Sequence, residues 1–289
     1  MTRLEAPQGT GVMHSTATTA DHDLTAIRAR GRIGLEVEDV AGITRRRRVH
    51  ESGSLRVRFP GAAAAELEAV TVNTGGGMTG GDAFDIDVSV GENARLVVTT
   101  TAAEKIYRSL GPPVTVNVKI RVAAGGTLAW LPQETILFDR ASLHRRIEVD
   151  LAEDAQLVLV EPLIFGRTGM GEAVRNGALH DTWRVRQGGR LIYAEGTHLS
   201  GPIEQSLGEC AVANGGVAIA TALVVPGDET LSDGIHAMGG EFRGEVGVSA
   251  WNGRTVLRFC ARDGAALRHD ITCALGTIRT APLPRNWTN

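Results

Sequence analysis

Apolar and polar residues alternate along much of the chain, and between Asp85 and Glu195 the alternation repeats. A short strand-like stretch is followed by a turn and then a second apolar run. The pairs are Val88-Ser89-Val90 with Leu96, Ile120-Arg121-Val122 with Leu128, Val149-Asp150-Leu151 with Leu157, and Trp183-Arg184-Val185 with Leu191. The intervening residues, GENAR, AAGGT, AEDAQ and RQGGR, are turn formers or polar. A period of roughly 30 residues predicts stacked supersecondary units, because one such unit cannot bury its apolar face alone. The expected fold is mainly β: a β-helix-like stack of strand repeats with one or two short helices.

Polar residues follow each second run. Thr99-Thr100-Thr101 come after Leu96, Pro132-Gln133-Glu134 after Leu128, Glu161 after Leu157 and Glu195 after Leu191. Stacking in register would set Thr99, Thr100, Glu134, Glu161 and Glu195 in a polar column. An unpaired buried carboxylate costs several kcal/mol or neutralises, so such a column would be unusual. The plainer reading is four strand ends in water, and the pattern alone leaves both open.

The flanks follow the same logic. Residues 1–23 lack periodicity and predict a disordered leader, with a single β-helix-like domain over 24–281 and a loose tail over 282–289. Ile33–Val40, a strand pair through Val49 and Leu55-Arg56-Val57, Val217–Val225 and Thr255–Ala261 read as strands. Residues 62–65 read as a loop feeding a strand. Residues 94–110 read as a strand running into one helical turn, stopped by Gly111-Pro112-Pro113. Leu267, Ile271, Ala274, Leu275 and Ile278 have helical spacing, so an amphipathic helix is expected over 265–280.

Composition narrows the function. The chain has 289 residues, 43% hydrophobic and 22% charged, enough for a core and a solvated surface. A formal net charge of −3 argues against general nucleic-acid binding, which needs a concentrated basic footprint. The run Arg45-Arg46-Arg47-Arg48 reads better as a protected or partner-facing strand edge. Cys210, Cys260 and Cys273 are too scattered for a disulfide framework and fit a reducing compartment. With no apolar h-region and no membrane-length apolar run, a cytoplasmic protein without membrane contact is expected.

Familiar catalytic motifs are scarce in the chain. The glycine-rich run Asn73–Asp82 lacks the Gly-Lys-Ser/Thr closure of a phosphate loop. No Gly-x-Ser-x-Gly, His-Glu-x-x-His or Cys-x-x-Cys occurs. His144, His180 and His198 would converge only if the strands stack, and surface histidine is the default for each. Glu134, Asp139, Glu161, Glu172 and Glu195 could supply a carboxylate pair for a β-helical glycan-acting enzyme. Otherwise what remains is a set of hard oxygen ligands, which hold a first-row metal such as nickel less tightly than clustered imidazole or thiolate would. Asp82 after Gly80-Gly81 has a simpler reading as a turn cap, and Asp139 as a partner of Arg140 or Arg145.

Four motifs in order resemble a known family. They are Asn73-Thr74-Gly75-Gly76-Gly77 with Gly80-Gly81-Asp82, TTTAAEKIYRS at 99–109, WLPQETILFDRA at 130–141, and the GR…GE loop at 166–172. Together they resemble the urease accessory protein UreD, called UreH in some organisms. The match runs from about residue 28 to beyond 200. Thr101 stands where the family usually has Gln, and Gly75 where it usually has Ala. The resemblance implies a non-enzymatic scaffold that binds UreF and, through it, the GTPase UreG. It implies a dimeric hetero-oligomer that docks on apo-urease and passes nickel through a polar passage. It further implies no tightly bound cofactor, nickel in transit, and GTP only on the partner. By motif position, Asp82, Asp139 and Glu172 become candidates for transient nickel contact. Lys105, Tyr107, Arg108 and Arg167 become candidates for structure or partner contact.

Overall fold

The computed structural model describes residues 28–61 and 65–288. The expected leader and most of the expected 62–65 loop lie outside the described residues. The strands are β1 (Arg30–Val40), β2 (Ile43–Gly53), β3 (Leu55–Arg58), β4 (Glu66–Asn73), β5 (Ala83–Val90), β6 (Arg95–Thr100), β7 (Glu104–Ile106), β8 (Val114–Val122), β9 (Thr127–Trp130), β10 (Thr135–Leu137), β11 (Ser142–Leu151), β12 (Gln156–Phe165), β13 (Gly177–Gln187), β14 (Arg190–Gly201), β15 (Ala218–Val225), β16 (Glu245–Trp251) and β17 (Arg254–Ala261). The helices are α1 (Ile203–Gly208), α2 (Glu229–Ala237), α3 (Gly264–Ile278) and α4 (Arg285–Thr288).

Two sheets face each other. The first runs β14-β13-β11-β8-β5-β1-β2 and the second β16-β17-β15-β12-β9-β6-β4-β3. From β4 to β13 the chain passes between them coil after coil, so β5, β8, β11 and β13 pair in parallel, as do β4, β6, β9 and β12. The repeat therefore stacks as expected. Leu67, Leu96, Leu128 and Leu157 lie in register, all buried, and Val88, Ile120, Val149 and Val185 do so opposite them. Identical phase in successive coils is what lets each close the apolar face of the one before.

The fourth unit departs from the pattern. Gly188 and Gly189 both adopt left-handed backbone, with φ of +54° and +80°. They join Gln187 to Arg190 as a two-residue hairpin, the geometry that positive φ at both positions favours. The chain therefore turns back within the first sheet instead of crossing, and Leu191 is exposed on β14 rather than stacked on Leu157.

Two further expectations change. Residues 104–106 form the short strand β7, paired with β10 and not a helical turn. The expected loose tail over 282–289 is docked in its described part, up to Thr288: α4 buries Trp287, whose indole N–H donates to the Leu131 carbonyl at 3.0 Å, while Asn286 Nδ2 donates to the Thr100 carbonyl at 2.7 Å. A large aromatic with an available acceptor has reason not to stay loose. The amphipathic helix is α3, capped by Asp263, which accepts from Ala266 N at 2.8 Å. Its Leu267, Ile271, Ala274 and Leu275 pack with Val97, Ala129, Leu131 and Val160 on the outer side of the second sheet. The larger core lies between the sheets.

Candidate functional site

Strand alternation decides which polar residues share a space. On β11 the inward phase reads Leu143, Arg145, Ile147, Val149, and on β13 it reads Leu179, Asp181, Trp183, Val185. Arg145 and Asp181 are register partners. Glu161 on β12 faces them from the other sheet. The Arg145 guanidinium pairs with Glu161 through Nη1 and with Asp181 through Nη2 at 2.5 Å. Trp130 Nε1 donates to Glu161 Oε1 at 2.7 Å. All three ionisable groups are buried.

The electrostatics follow. Burial pushes the Glu161 carboxyl from its usual 4.5 up to about 7; Arg145 pulls it down and Asp181 pushes it further up. Burial alone would lower Arg145, but Asp181 and Glu161 overcome it and hold the guanidinium above its ordinary value. Beside this cluster lies a cavity of about 70 Å³, lined by Thr71, Thr100, Glu104, Gln133 and Thr135 together with Met78, Phe84 and Ile106. That is room for a few waters. Burial also raises the Glu104 carboxyl, which accepts from Asn73 Nδ2 at 3.3 Å. Among the described residues, Asp181 Oδ1, Arg145 Nε, Gln133 Nε2, Trp183 Nε1 and Thr99 Oγ1 are buried without a hydrogen-bond partner. The polar stripe continues to the rim, where Thr221, opposite Glu161, accepts from Arg258 Nη1 at 2.9 Å. Arg258 Nη2 binds Glu195 at 2.6 Å, and Tyr193 donates to the same carboxylate. Burial works to raise Glu195, but Arg258, Tyr193 and the Gly196 N–H together hold its carboxyl below the usual value.

The expected column is thus partly assembled and partly divided. Thr100 and Glu161 face the interior. Thr99 and Glu134 are on the opposite side of the second sheet, where Glu134 pairs with Arg268 of α3 at 2.6 Å. Adjacent residues on a strand cannot share a face, so Thr99 and Thr100 had to part. Glu195 sits on the first sheet because the glycine hairpin returned the chain there.

The motif residues gather elsewhere, where the loops of successive coils stack at one edge. Gly77 lies against the Tyr107 ring, and a Cβ there would fall 2.3 Å from it. Tyr107 meets Phe138 edge-on at 4.9 Å, and Arg167 covers Phe138 at 4.5 Å. Lys105 accepts from Met78 N through its carbonyl, and Arg108 accepts from Thr79 Oγ1 and bridges to Ala141. Glu172 binds Arg167 at 2.5 Å and accepts from Asp139 N at 3.4 Å. Asp139 accepts from Asn176 N at 3.0 Å and pairs with Arg140, not Arg145, at 3.7 Å. Asp82 caps its own turn, accepting from Thr79 N and Ala29 N at 2.8 Å. Asp139 and Glu172 are brought together, and Asp82 belongs to a separate set of hydrogen bonds. Sequence reasoning missed Arg145 as a member of the buried cluster, along with Asp181, Glu104 and Trp130. The available signal was a charge in the apolar phase of two neighbouring strands.

Each carboxylate considered for glycan chemistry is engaged by arginine or a backbone N–H. Among the described residues no group of three or more His, Cys, Asp or Glu side chains is placed to hold a metal ion as it stands, and no described helix is long and apolar enough to cross a membrane.

A two-sheeted β-solenoid with a buried ion cluster and a loop stack of glycine, aromatic and arginine residues defines the class of protein. The sequence matches the family profile of the UreD urease accessory protein over residues 29–288. It is 53% identical over 264 residues to the urease accessory protein UreD of Rhodopseudomonas palustris strain BisA53, covering 91% of this chain and 92% of that one. It is 50% identical over 277 residues to the protein of that name from Bradyrhizobium diazoefficiens, covering 96% and 100%. The chain belongs to the UreD family of urease accessory proteins.

Proposed function

We propose that this urease maturation factor is a non-enzymatic scaffold that helps pass nickel to apo-urease through its interior. The observation that carries the reading is the polar stripe between the sheets: Thr71, Thr100, Glu104, Thr135 and Glu161 around a cavity, continued by Thr221 and Glu195 to the rim. Hydroxyls and carboxylates hold nickel weakly, which suits transfer better than storage. In this reading Asp82, Asp139 and Glu172 give transient contacts at the loop stack, whose Met78 and Ile106 also line the cavity. The Arg145–Asp181 pair leaves the interior no net positive charge to repel a cation. The exposed parts of Lys105, Tyr107, Arg108 and Arg167 offer a surface to partners. Those partners are UreF, UreG through UreF, and apo-urease, in a dimeric hetero-oligomer in the cytoplasm. No cofactor is held tightly, and GTP belongs to UreG.

Co-expression with matching UreF and UreG tests this. One complex should elute and raise the nickel content and activity of apo-urease with GTP. Glu161→Gln and Glu172→Gln should leave the complex assembled and the urease poorly metallated. Loss of assembly in both would make the carboxylates structural, and full activation by both would end the passage reading.

A further inference from the structure

The solvent face of the first sheet carries a row of imidazoles that the interior passage does not use. His144 on β11 is the register partner of His180 on β13, and His180 is the partner of His198 on β14. All three side chains are exposed. The His144 and His180 rings lie 5.5 Å apart at 81°, and the His180 and His198 rings 5.1 Å apart at 26°. Among the described residues their ring nitrogens have no hydrogen-bond partner, unlike the His269 ring, which meets the Glu241 carbonyl.

We propose that His144, His180 and His198 form a surface site for one divalent borderline transition-metal ion of the nickel and zinc class. Neighbouring strands stand about 4.8 Å apart, so His180 lies one strand spacing from each of the other two, and His144 and His198 lie about 9.6 Å from one another on either side of it. Two nitrogens sharing such an ion need to stand within about 4.2 Å, twice a typical metal–nitrogen distance. In the conformation described His144 meets His180 edge-on and His180 stacks on His198, so the nitrogens do not converge and the site forms by rotation about the side-chain bonds. Exposed side chains make such rotations in picoseconds to nanoseconds. The neighbours leave room: the residues two positions away on the same face are Ser142, Ala178 and Ser200 on one side and Thr182 and Gly196 on the other. The remaining long one, Arg146, is turned to Glu148 at 2.6 Å. Imidazole selects nickel, zinc and copper over calcium and magnesium, which prefer oxygen. Three ligands on one open face leave the other coordination positions to water, so the ion exchanges readily. This site stands apart from the interior stripe and does not depend on it.

Calorimetric titration of the full chain with nickel chloride and with zinc chloride tests the assignment. The expected result is one saturable equivalent, no heat with magnesium, and His180→Ala weakening affinity by at least about 10–100-fold, the range that loss of even an outer-shell partner costs a metal site. His198→Ala should weaken it as well. Circular dichroism of each variant checks folding, and nickel should protect the three imidazoles of the unmodified chain from diethyl pyrocarbonate. Absence of saturable binding up to about 1 mM metal would overturn the proposal. So would unchanged affinity in a folded His180→Ala chain, or protection confined to other histidines.

Discussion

His144 and Arg145 are neighbours in the chain, as are His180 and Asp181, yet each pair lies across the two faces of one sheet. On the inner face the row is Arg145 and Asp181 with Glu161 opposite, buried and locked by ion pairs. On the outer face the row is three imidazoles that touch one another and water. The parallel register of β11 and β13 sets Arg145 beside Asp181 and His144 beside His180, and the antiparallel return of β14 adds His198 to the outer row. Burial makes the difference: inside, a charge without its partner is costly, and outside, a ring is free to turn. Stacked coils thus copy chemistry into rows, and the face decides whether a row is fixed or adaptable.

The sharpest way to break this contrast is Arg145→Ala. It leaves Glu161 and Asp181 buried without their cation and should destabilise by about 3–5 kcal/mol, read as a lowered urea midpoint with unchanged slope. Glu161 supplies the next effect. Its folded carboxyl titrates near 7, above its usual 4.5, so the folded state holds a proton that the unfolded chain has lost. Its contribution is therefore fully present below pH 4.5 and falls as pH rises to 7, by roughly 3 kcal/mol over the window. Glu161→Gln should flatten that part of the stability profile, and a profile identical to the parent's would show that Glu161 stays ionised throughout. Thr100→Val removes the hydroxyl that accepts from Gln133 N and donates to the Ala102 carbonyl, both at 2.9 Å. Leaving the Gln133 N–H unpaired should cost about 1–3 kcal/mol in the same denaturation assay. The smallest effect belongs to the outer row, where His180→Ala should shift stability by no more than about 0.5 kcal/mol. A larger loss would mean that the imidazoles hold the sheet together.

Much of this was legible from period and phase. Val90, Val122 and Leu151 with Leu96, Leu128 and Leu157 announced the coils, and the spacing from Leu267 to Ile278 announced α3. The motif run from Asn73 to Glu172 pointed to the family. Facing was harder to read. Thr99, Thr100, Glu134 and Glu161 all follow apolar runs, but the link from Trp130 at the end of β9 to Thr135 at the start of β10 has one more residue than β12 has between Leu159 and Leu163. One extra residue reverses the phase, and Glu134 consequently meets α3 instead of the interior. The docked tail was hidden for another reason. Trp287 is a single aromatic without periodicity, and its acceptor, the Leu131 carbonyl, lies far off in sequence. The Arg145–Glu161 pair likewise joins two sheets, a relation no local window contains.

The Gly188-Gly189 reversal also acts as a stop codon for architecture. Every coil before it offers the next one a template, and nothing in the leucine column limits how many follow. What ends the series is a pair of residues that sends the chain home along the strand it has just laid. A duplicated coil inserted ahead of that pair would lengthen the solenoid by one strand spacing, about 4.8 Å. It would carry the terminal hairpin outward intact, so the parallel series of the first sheet is closed at a single punctuation mark, while β15, β17 and β16 extend the second sheet by antiparallel pairing.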